Sequence, residues 1–172
     1  MKRKYRYIHE AIKYFPGQFT VKELDATLGG RCEDLNMITG YWLRSIGIPT
    51  ALEFTPYWAN SNYGGHSWLS ILDTTGKFVP MNPVYDNPVR DSLPFKGAHL
   101  AKAYRLFYQV NSFFYKKVSA GKTLPERDYK DITAEYLPVA NVKTGINNFD
   151  DKPVLLGVLN GTYWKPLITQ TT

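Results

Sequence analysis

The sequence predicts an α+β fold in which helices come first and strands follow. Before Pro49, apolar residues recur at helical spacing, as in Leu35, Ile38 and Trp42. After Pro49, short segments rich in β-branched and aromatic residues alternate with stretches of Asn, Gly and Pro. The 172 residues are 44% hydrophobic, which suffices for one domain, or for a compact domain with a small second module.

Three helices are predicted in the first part of the chain. They span 5–14, 20–28 and 31–46. Pro16–Gly17 stops the first, and Gly47 ends the third. The second opens with a capping box, in which Thr20 and Glu23 satisfy free backbone amides at the helix start.

The remaining chain reads as strands joined by turns. The predicted strands are 50–57, 66–72, 77–81, 103–110, 131–142 and 153–168. The proline-rich segment 82–96 is predicted to be a loop, and 100–114 could also be drawn as a helix. Asn160–Gly161 is a typical hairpin turn, since both of its central positions must tolerate positive φ. We place a boundary near residue 97, between a core (1–97) and a β-rich module (98–172) that could be incomplete.

Composition and charge exclude several classes of protein. The net charge of +6 is scattered apart from a basic start, and neither a basic stripe nor a nucleic-acid motif is present, so no nucleic-acid partner is expected. The single cysteine rules out an intrachain disulfide. No apolar run approaches a membrane span, and the basic start leads into a polar, aromatic stretch rather than a signal peptide.

The cysteine is predicted at a position that suits nucleophilic chemistry. Cys32 lies in the first turn of the third helix, where unpaired backbone amides and the helix dipole stabilise a thiolate. Gly29–Gly30 allows a substrate to approach the backbone closely. Glu33 and Asp34 oppose ionisation, but on a helix they should point away from Cys32. Taken alone, Cys32 would more often be a buried structural thiol than a nucleophile, and it is the matching His66 and Asn82 that favour the site.

His66 and Asn82 have the placement that a cysteine site requires. His66 follows Gly64–Gly65 at the start of a strand, and Asn82 comes just past the next strand. Two antiparallel strands joined by a turn bring these positions level, so the Asn82 carbonyl can accept from one ring N–H and orient the other nitrogen. An imidazolium beside the sulfur would lower the pKa of the thiol.

Four motifs together resemble the transglutaminase-like superfamily, over about residues 20–83. They are Gly30-Arg-Cys32-Glu-Asp34, Leu43-Arg-Ser-Ile-Gly47-Ile-Pro49, Gly65-His66-Ser-Trp68 and Phe78-Val-Pro-Met-Asn82-Pro83. Within this superfamily the chain is most similar to the transglutaminase-like proteins of Bacteroidetes, which carry a segment like 54–59 and a β-rich region downstream. The family usually has Asp as the third member, where this chain has Asn82; Asp73 or Asp86 could substitute for it.

The resemblance implies a papain-like core, with the Cys32 helix packed on a small antiparallel sheet. Cys32 would be the nucleophile, His66 the general base and Asn82 its orienting partner, in amide acyl transfer or, preferably, peptide hydrolysis. The alternative is a catalytically silent module that binds peptide or glycan within a larger surface protein. A closed structural assembly domain is a third, weaker option.

The resemblance also implies partners and a location. We expect a peptide or protein substrate, with cell-wall peptide or a glycan-linked peptide as possibilities, in the periplasm or at the cell surface. Tyr57, Trp58 and Gly65 are expected to line the substrate cleft. The Cys32 amide would be one oxyanion donor, and Trp58, Tyr57 or Gln18 the second. No cofactor is expected, and no metal, because carboxylates at calcium-loop spacing are absent.

Overall fold

The computed structural model describes residues 4–10, 17–90, 93, 95, 97–106, 129–140 and 154–170. The helices are α1 (Val21–Thr27), α2 (Cys32–Ser45) and α3 (Thr133–Tyr136). The strands are β1 (Arg6–Tyr7), β2 (Gly29–Gly30), β3 (Thr50–Tyr57), β4 (Gly64–Leu72), β5 (Phe78–Met81), β6 (Tyr104–Leu106), β7 (Tyr129–Asp131), β8 (Val154–Asn160) and β9 (Tyr163–Gln170).

The central element is a five-stranded antiparallel sheet with the order β5-β4-β3-β6-β7. Helix α2 packs against β3 and β4. Both faces of β4 are covered, because Trp68 and its neighbour Leu69 point to opposite sides and are both buried. The predicted α+β class is therefore confirmed, with three helices and this sheet in the described residues.

Two groups of buried apolar residues cover the two sides of the fold. One joins the N-terminal segment to α1 and α2 through Tyr5, Leu24, Leu35 and Ile38. The other surrounds Trp68 and includes Leu100, Ala103 and Ile132. The second group draws on both sides of residue 97, as the sheet itself does. The division into 1–97 and 98–172 stays a prediction.

The two helices before Pro49 begin and end where local chemistry predicts. Thr20 and Glu23 form the predicted capping box on α1, and Leu28 ends that helix with a left-handed φ of 51°. Helix α2 starts at Cys32 and is followed by Gly47 with φ +84°. That conformation costs a glycine no steric strain.

The predicted helix 5–14 is wrong over its described part. Residues Arg6–Tyr7 form β1, which pairs in parallel with β2. The Arg6 amide donates to Leu28 O (3.0 Å), and the Ile8 amide donates to Gly30 O (2.9 Å). A Cβ on Gly29 would lie 2.6 Å from the Arg6 carbonyl oxygen, so glycine is what admits this strand. Residues 11–14 lie outside the described part.

The predicted strand 131–142 is wrong at 133–136, which forms α3. Asp131 ends β7, and its carboxylate accepts from the Thr133 amide (2.9 Å), which turns the chain into the helix. The strand prediction at 103–110 is confirmed over β6, and residues 107–110 lie outside the described part, as do 107–114 of the alternative helix and 141–142.

The C-terminal hairpin of β8 and β9 is confirmed, but its turn lies one residue later than predicted. Asn160 pairs with Tyr163 as the last strand residue, so Gly161 and Thr162 are the central positions. Gly161 has φ +58°. Asn160 is therefore the last residue of β8 and not part of the turn, and its side chain is buried.

Candidate active site

Cys32 is the first residue of α2, as predicted, and its side chain is partly buried. The position follows from the capping arrangement, in which Asp34 accepts from the Arg31 backbone amide (3.0 Å) three residues earlier. A thiol at this point faces backbone amides that have no partner within the helix. Even so, burial raises the pKa of Cys32, and the Glu33 charge raises it further.

The two acidic neighbours of Cys32 have different roles. Asp34 is almost completely buried and accepts from the Phe19 amide (2.9 Å) and from Arg31 Nε (3.1 Å). This carboxylate therefore fixes the loop before α1 and the start of α2. Glu33 lines the cleft described below and keeps its charge close to the thiol. The expectation that both charges point away from Cys32 is wrong for Glu33.

His66 and Asn82 are brought together by the register of β4 and β5. Leu69 pairs with Met81, so one residue further Asn82 comes opposite Trp68, and His66 is the diagonal neighbour on the same face. His66 Nε2 lies 3.2 Å from Asn82 Oδ1. This bond assigns the ring hydrogen to Nε2 and leaves Nδ1 as the nitrogen that can accept a proton.

Aromatic rings enclose the His66 imidazole. Trp58 stacks on it at a centroid distance of 5.8 Å, Trp68 lies 6.5 Å away, and Phe95 meets it edge-on at 6.1 Å. Burial lowers the pKa of His66 below its ordinary value, although the Asn82 bond opposes this. The imidazole is consequently neutral near pH 7 and able to act as a base.

Cys32, His66 and Asn82 line one cavity of about 250 Å³. The cavity also contacts Tyr7, Asn36 and Ser67. No hydrogen bond joins Cys32 to His66. The hydroxyl and backbone amide of Ser67 and the backbone amide of Glu33 lower the pKa of the thiol, but burial raises it by more. The raised thiol pKa and the lowered imidazole pKa mean that the free site holds a neutral thiol and a neutral imidazole, not the expected ion pair.

A larger cleft of about 1030 Å³ shares Tyr7, Cys32, His66 and Ser67 with this cavity. Of the predicted substrate-binding residues, Trp58 and Gly65 line it, and Tyr57 does not. A Cβ on Gly65 would lie 2.2 Å from the Thr55 carbonyl oxygen, so only glycine fits. Gln18 and Trp58, two of the three side chains considered as oxyanion donors, also line this cleft.

The two alternative carboxylates do not take the place of Asn82. Asp73 belongs to the turn at the other end of β4, where it accepts from Thr75 and Arg90. These partners hold the pKa of Asp73 well below its ordinary range. Asp86 is exposed, and its backbone amide donates to the Asn82 carbonyl oxygen (2.8 Å). Asn82 is thus the group that binds His66.

Several residues of the site were not predicted. Tyr7 lines both cavities, because the segment assigned to a helix is instead β1. Asn36 and Ser67 contact each other across the helix and sheet. Asn36 falls on the same helical face as Cys32, four residues on, and this spacing was the available signal.

No family model, no curated protein and no solved structure matches the chain. None of the helices in the described residues is long and apolar enough to cross a membrane. Among those same residues, no cluster of three or more His, Cys, Asp or Glu side chains could hold a metal ion.

Proposed function

We propose that the chain is a cysteine-dependent enzyme of the transglutaminase-like type, which transfers or hydrolyses an amide acyl group. The observation that carries the proposal is the His66 Nε2 to Asn82 Oδ1 bond of 3.2 Å, formed in the cavity that Cys32 also lines. Three residues from different elements thus supply a nucleophile, a base and a group that orients the base. Helix α2 packed on the antiparallel sheet supports a papain-like core.

The proposed reaction starts from a neutral Cys32 thiol and a neutral His66 imidazole. As the Cys32 sulfur attacks the amide carbon, its proton passes to His66 Nδ1, while Asn82 keeps the ring oriented through Nε2–H. The carbonyl oxygen becomes an oxyanion beside the Cys32 backbone amide at the start of α2. His66 then gives the proton to the leaving amine, and a thioester forms on Cys32.

The second half of the reaction decides between hydrolysis and transfer. Water or an amine attacks the thioester carbon, His66 takes the proton of that nucleophile, and the thiol is regenerated. We favour water as the nucleophile. We also favour a peptide or protein substrate, because Trp58 and Tyr63 line the cleft next to the ends of β3 and β4, where an extended substrate chain could lie. By resemblance we place the protein outside the cytoplasm.

One observation favours a second function. No hydrogen bond links Cys32 to His66, and burial raises the pKa of the thiol. A catalytically silent module that binds peptide or glycan in the same cleft would show both features. The two functions differ in whether His66 controls the reactivity of Cys32.

The test is covalent labelling with mixed-sequence peptide vinyl sulfones, followed by intact-mass spectrometry. The proposal predicts one adduct on Cys32, slowed about 100-fold by His66→Gln, because general-base assistance contributes about this much or more. His99→Gln is the matched control, since His99 lies outside both cavities. Equal labelling rates in the parent protein and His66→Gln, with reversible peptide binding retained, would establish the silent module instead.

A further inference from the structure

A buried polar pair, Asn36 and Ser67, lines the same cavity as Cys32. Asn36 follows Cys32 by four residues on α2, so both side chains project from one face of that helix. Asn36 Nδ2 donates to Ser67 Oγ at 3.0 Å. Asn36 is 1% exposed and Ser67 is 2% exposed, so water does not compete for this bond.

The Ser67 hydroxyl therefore has one hydrogen left to donate. Its oxygen already accepts from Asn36, and among the described residues no oxygen or nitrogen accepts the hydroxyl hydrogen. The remaining neighbour is the Cys32 thiol, which lines the same cavity as Ser67 and Asn36. The Ser67 hydroxyl and backbone amide lower the pKa of this thiol, against the larger effect of burial. Sulfur is a weak acceptor as a thiol and a much better one as a thiolate, since hydrogen bonds to charged groups are stronger.

Packing alone does not explain Asn36. Its carbonyl oxygen is buried and has no hydrogen-bond partner in the part of the chain that the structure describes. Leaving such a group unpaired costs free energy that an apolar side chain of the same size would avoid. The side-chain nitrogen of Asn36, by contrast, has a partner, and its bond to Ser67 fixes the direction in which the Ser67 hydroxyl points.

We propose that Ser67 is a further catalytic residue, whose hydroxyl, held by Asn36, donates a hydrogen bond to the Cys32 sulfur as negative charge develops there. This inference rests on the proposed function and divides the work between two neighbouring residues of β4. His66 accepts the proton of the thiol, and Ser67 stabilises the sulfur that the proton has left. The donated bond opposes the burial and the Glu33 charge that disfavour the thiolate, although the pKa of the thiol stays raised.

The test is the rate of Cys32 alkylation by iodoacetamide from pH 5 to pH 10, which reports the apparent pKa of the thiol. Ser67→Ala should move that pKa upward by about one unit and slow alkylation at pH 8 about tenfold, since one hydrogen bond to a charged group is lost. Ser67→Thr keeps a hydroxyl and should restore the parent profile. Ser70→Ala is the matched control, because Ser70 is equally buried on β4 but points to the other face.

A second variant covers the case in which Ser67→Ala unfolds in a thermal melt. Asn36→Leu removes the amide without leaving a cavity, so the freed hydroxyl can rotate and the thiol pKa should rise by a smaller amount. An unchanged profile in a folded Ser67→Ala or Asn36→Leu variant would overturn the role of Ser67. That result leaves the proposed function intact if His66→Gln still slows labelling, so the two failures are distinguishable.

Discussion

At the scale of single residues, the charge state of the site is set by burial. Burial raises the pKa of Cys32 and lowers the pKa of His66, so both groups are neutral between the two values. In that interval His66 can take the thiol proton only while the sulfur attacks. Catalysis should therefore rise with pH as the imidazole loses its proton, and rise again only where the free thiol ionises.

The positions of the three residues of the proposed site are predictable from the sequence. Cys32 has a local signal in the glycines before it and the helix after it, and His66 and Asn82 follow from two strands joined by a turn. Ser67, Asn36 and Tyr7 are not predictable in this way, because each acquires its role from a contact between distant segments. The environment that sets the His66 pKa likewise depends on tertiary contacts. The three rings around His66 come from the residue after β3, from β4 and from the loop at Phe95.

At the scale of elements, the C-terminal hairpin holds one wall of the cleft. Asn160 is buried, and its side-chain amide donates to the carbonyl oxygens of Trp58 (3.0 Å) and Tyr63 (3.1 Å), and also to that of Ser61. The loop between β3 and β4 is thereby fixed to β8. A turn residue predicted for its backbone conformation thus acts through its side chain.

Asn160→Ala should destabilise this loop and loosen the cleft. The variant leaves three carbonyl oxygens without their donor, for which we expect a loss of about 2 kcal/mol in the free energy of unfolding in urea. Thr162→Val on the same hairpin is the control, since the Thr162 side chain is exposed and makes one long contact with Asn62 (3.3 Å). Equal stability of the two variants would show that the hairpin does not support the loop.

Elements bounded by local chemistry were predictable, and those made by distant pairing were not. The capping box of α1 and the three strands after Pro49 occur where their residues indicate. Strand β1 forms by pairing with Gly29–Gly30, where the missing side chain leaves room for it. The spacing of apolar residues within 5–14 carries no information about this partner. Helix α3 likewise begins with a hydrogen bond from the Thr133 amide to the Asp131 carboxylate, which is not evident from a segment whose composition is typical of a strand.

At the scale of the whole molecule, a buried ionic network ties together segments before and after residue 97. Glu53 on β3 is fully buried and accepts from Arg105 Nε on β6 (2.7 Å) and from the Trp68 indole on β4 (2.7 Å). Arg105 also donates to Glu135 on α3 (2.6 and 3.1 Å), and the Tyr136 hydroxyl donates to Glu53. The network therefore connects strands of the central sheet to a helix from the C-terminal part.

Arg105→Met should destabilise the sheet as a unit. Removing the cation leaves the Glu53 carboxylate buried without its ion-pair partner, which costs about 3 kcal/mol or more. Arg90→Met is the control, because the Arg90 side chain is 61% exposed and its pair with Asp73 contributes at most about 1 kcal/mol. Urea unfolding monitored by tryptophan fluorescence and by Cys32 accessibility should give one shared transition, shifted only in Arg105→Met. Separate transitions for the two probes would contradict the account, because the network would then not couple the sheet around Trp68 to the Cys32 site.

The most direct test of the central claim, that His66 serves as the base for Cys32, is the pH dependence of Cys32 alkylation in the parent protein and in His66→Ala. The parent profile should show a plateau that begins below the ordinary imidazole pKa and extends to a thiol ionisation above its ordinary value. His66→Ala should lack that plateau and rise only with thiol ionisation. Superimposable profiles would contradict the account, because the imidazole would then have no part in the chemistry of the sulfur.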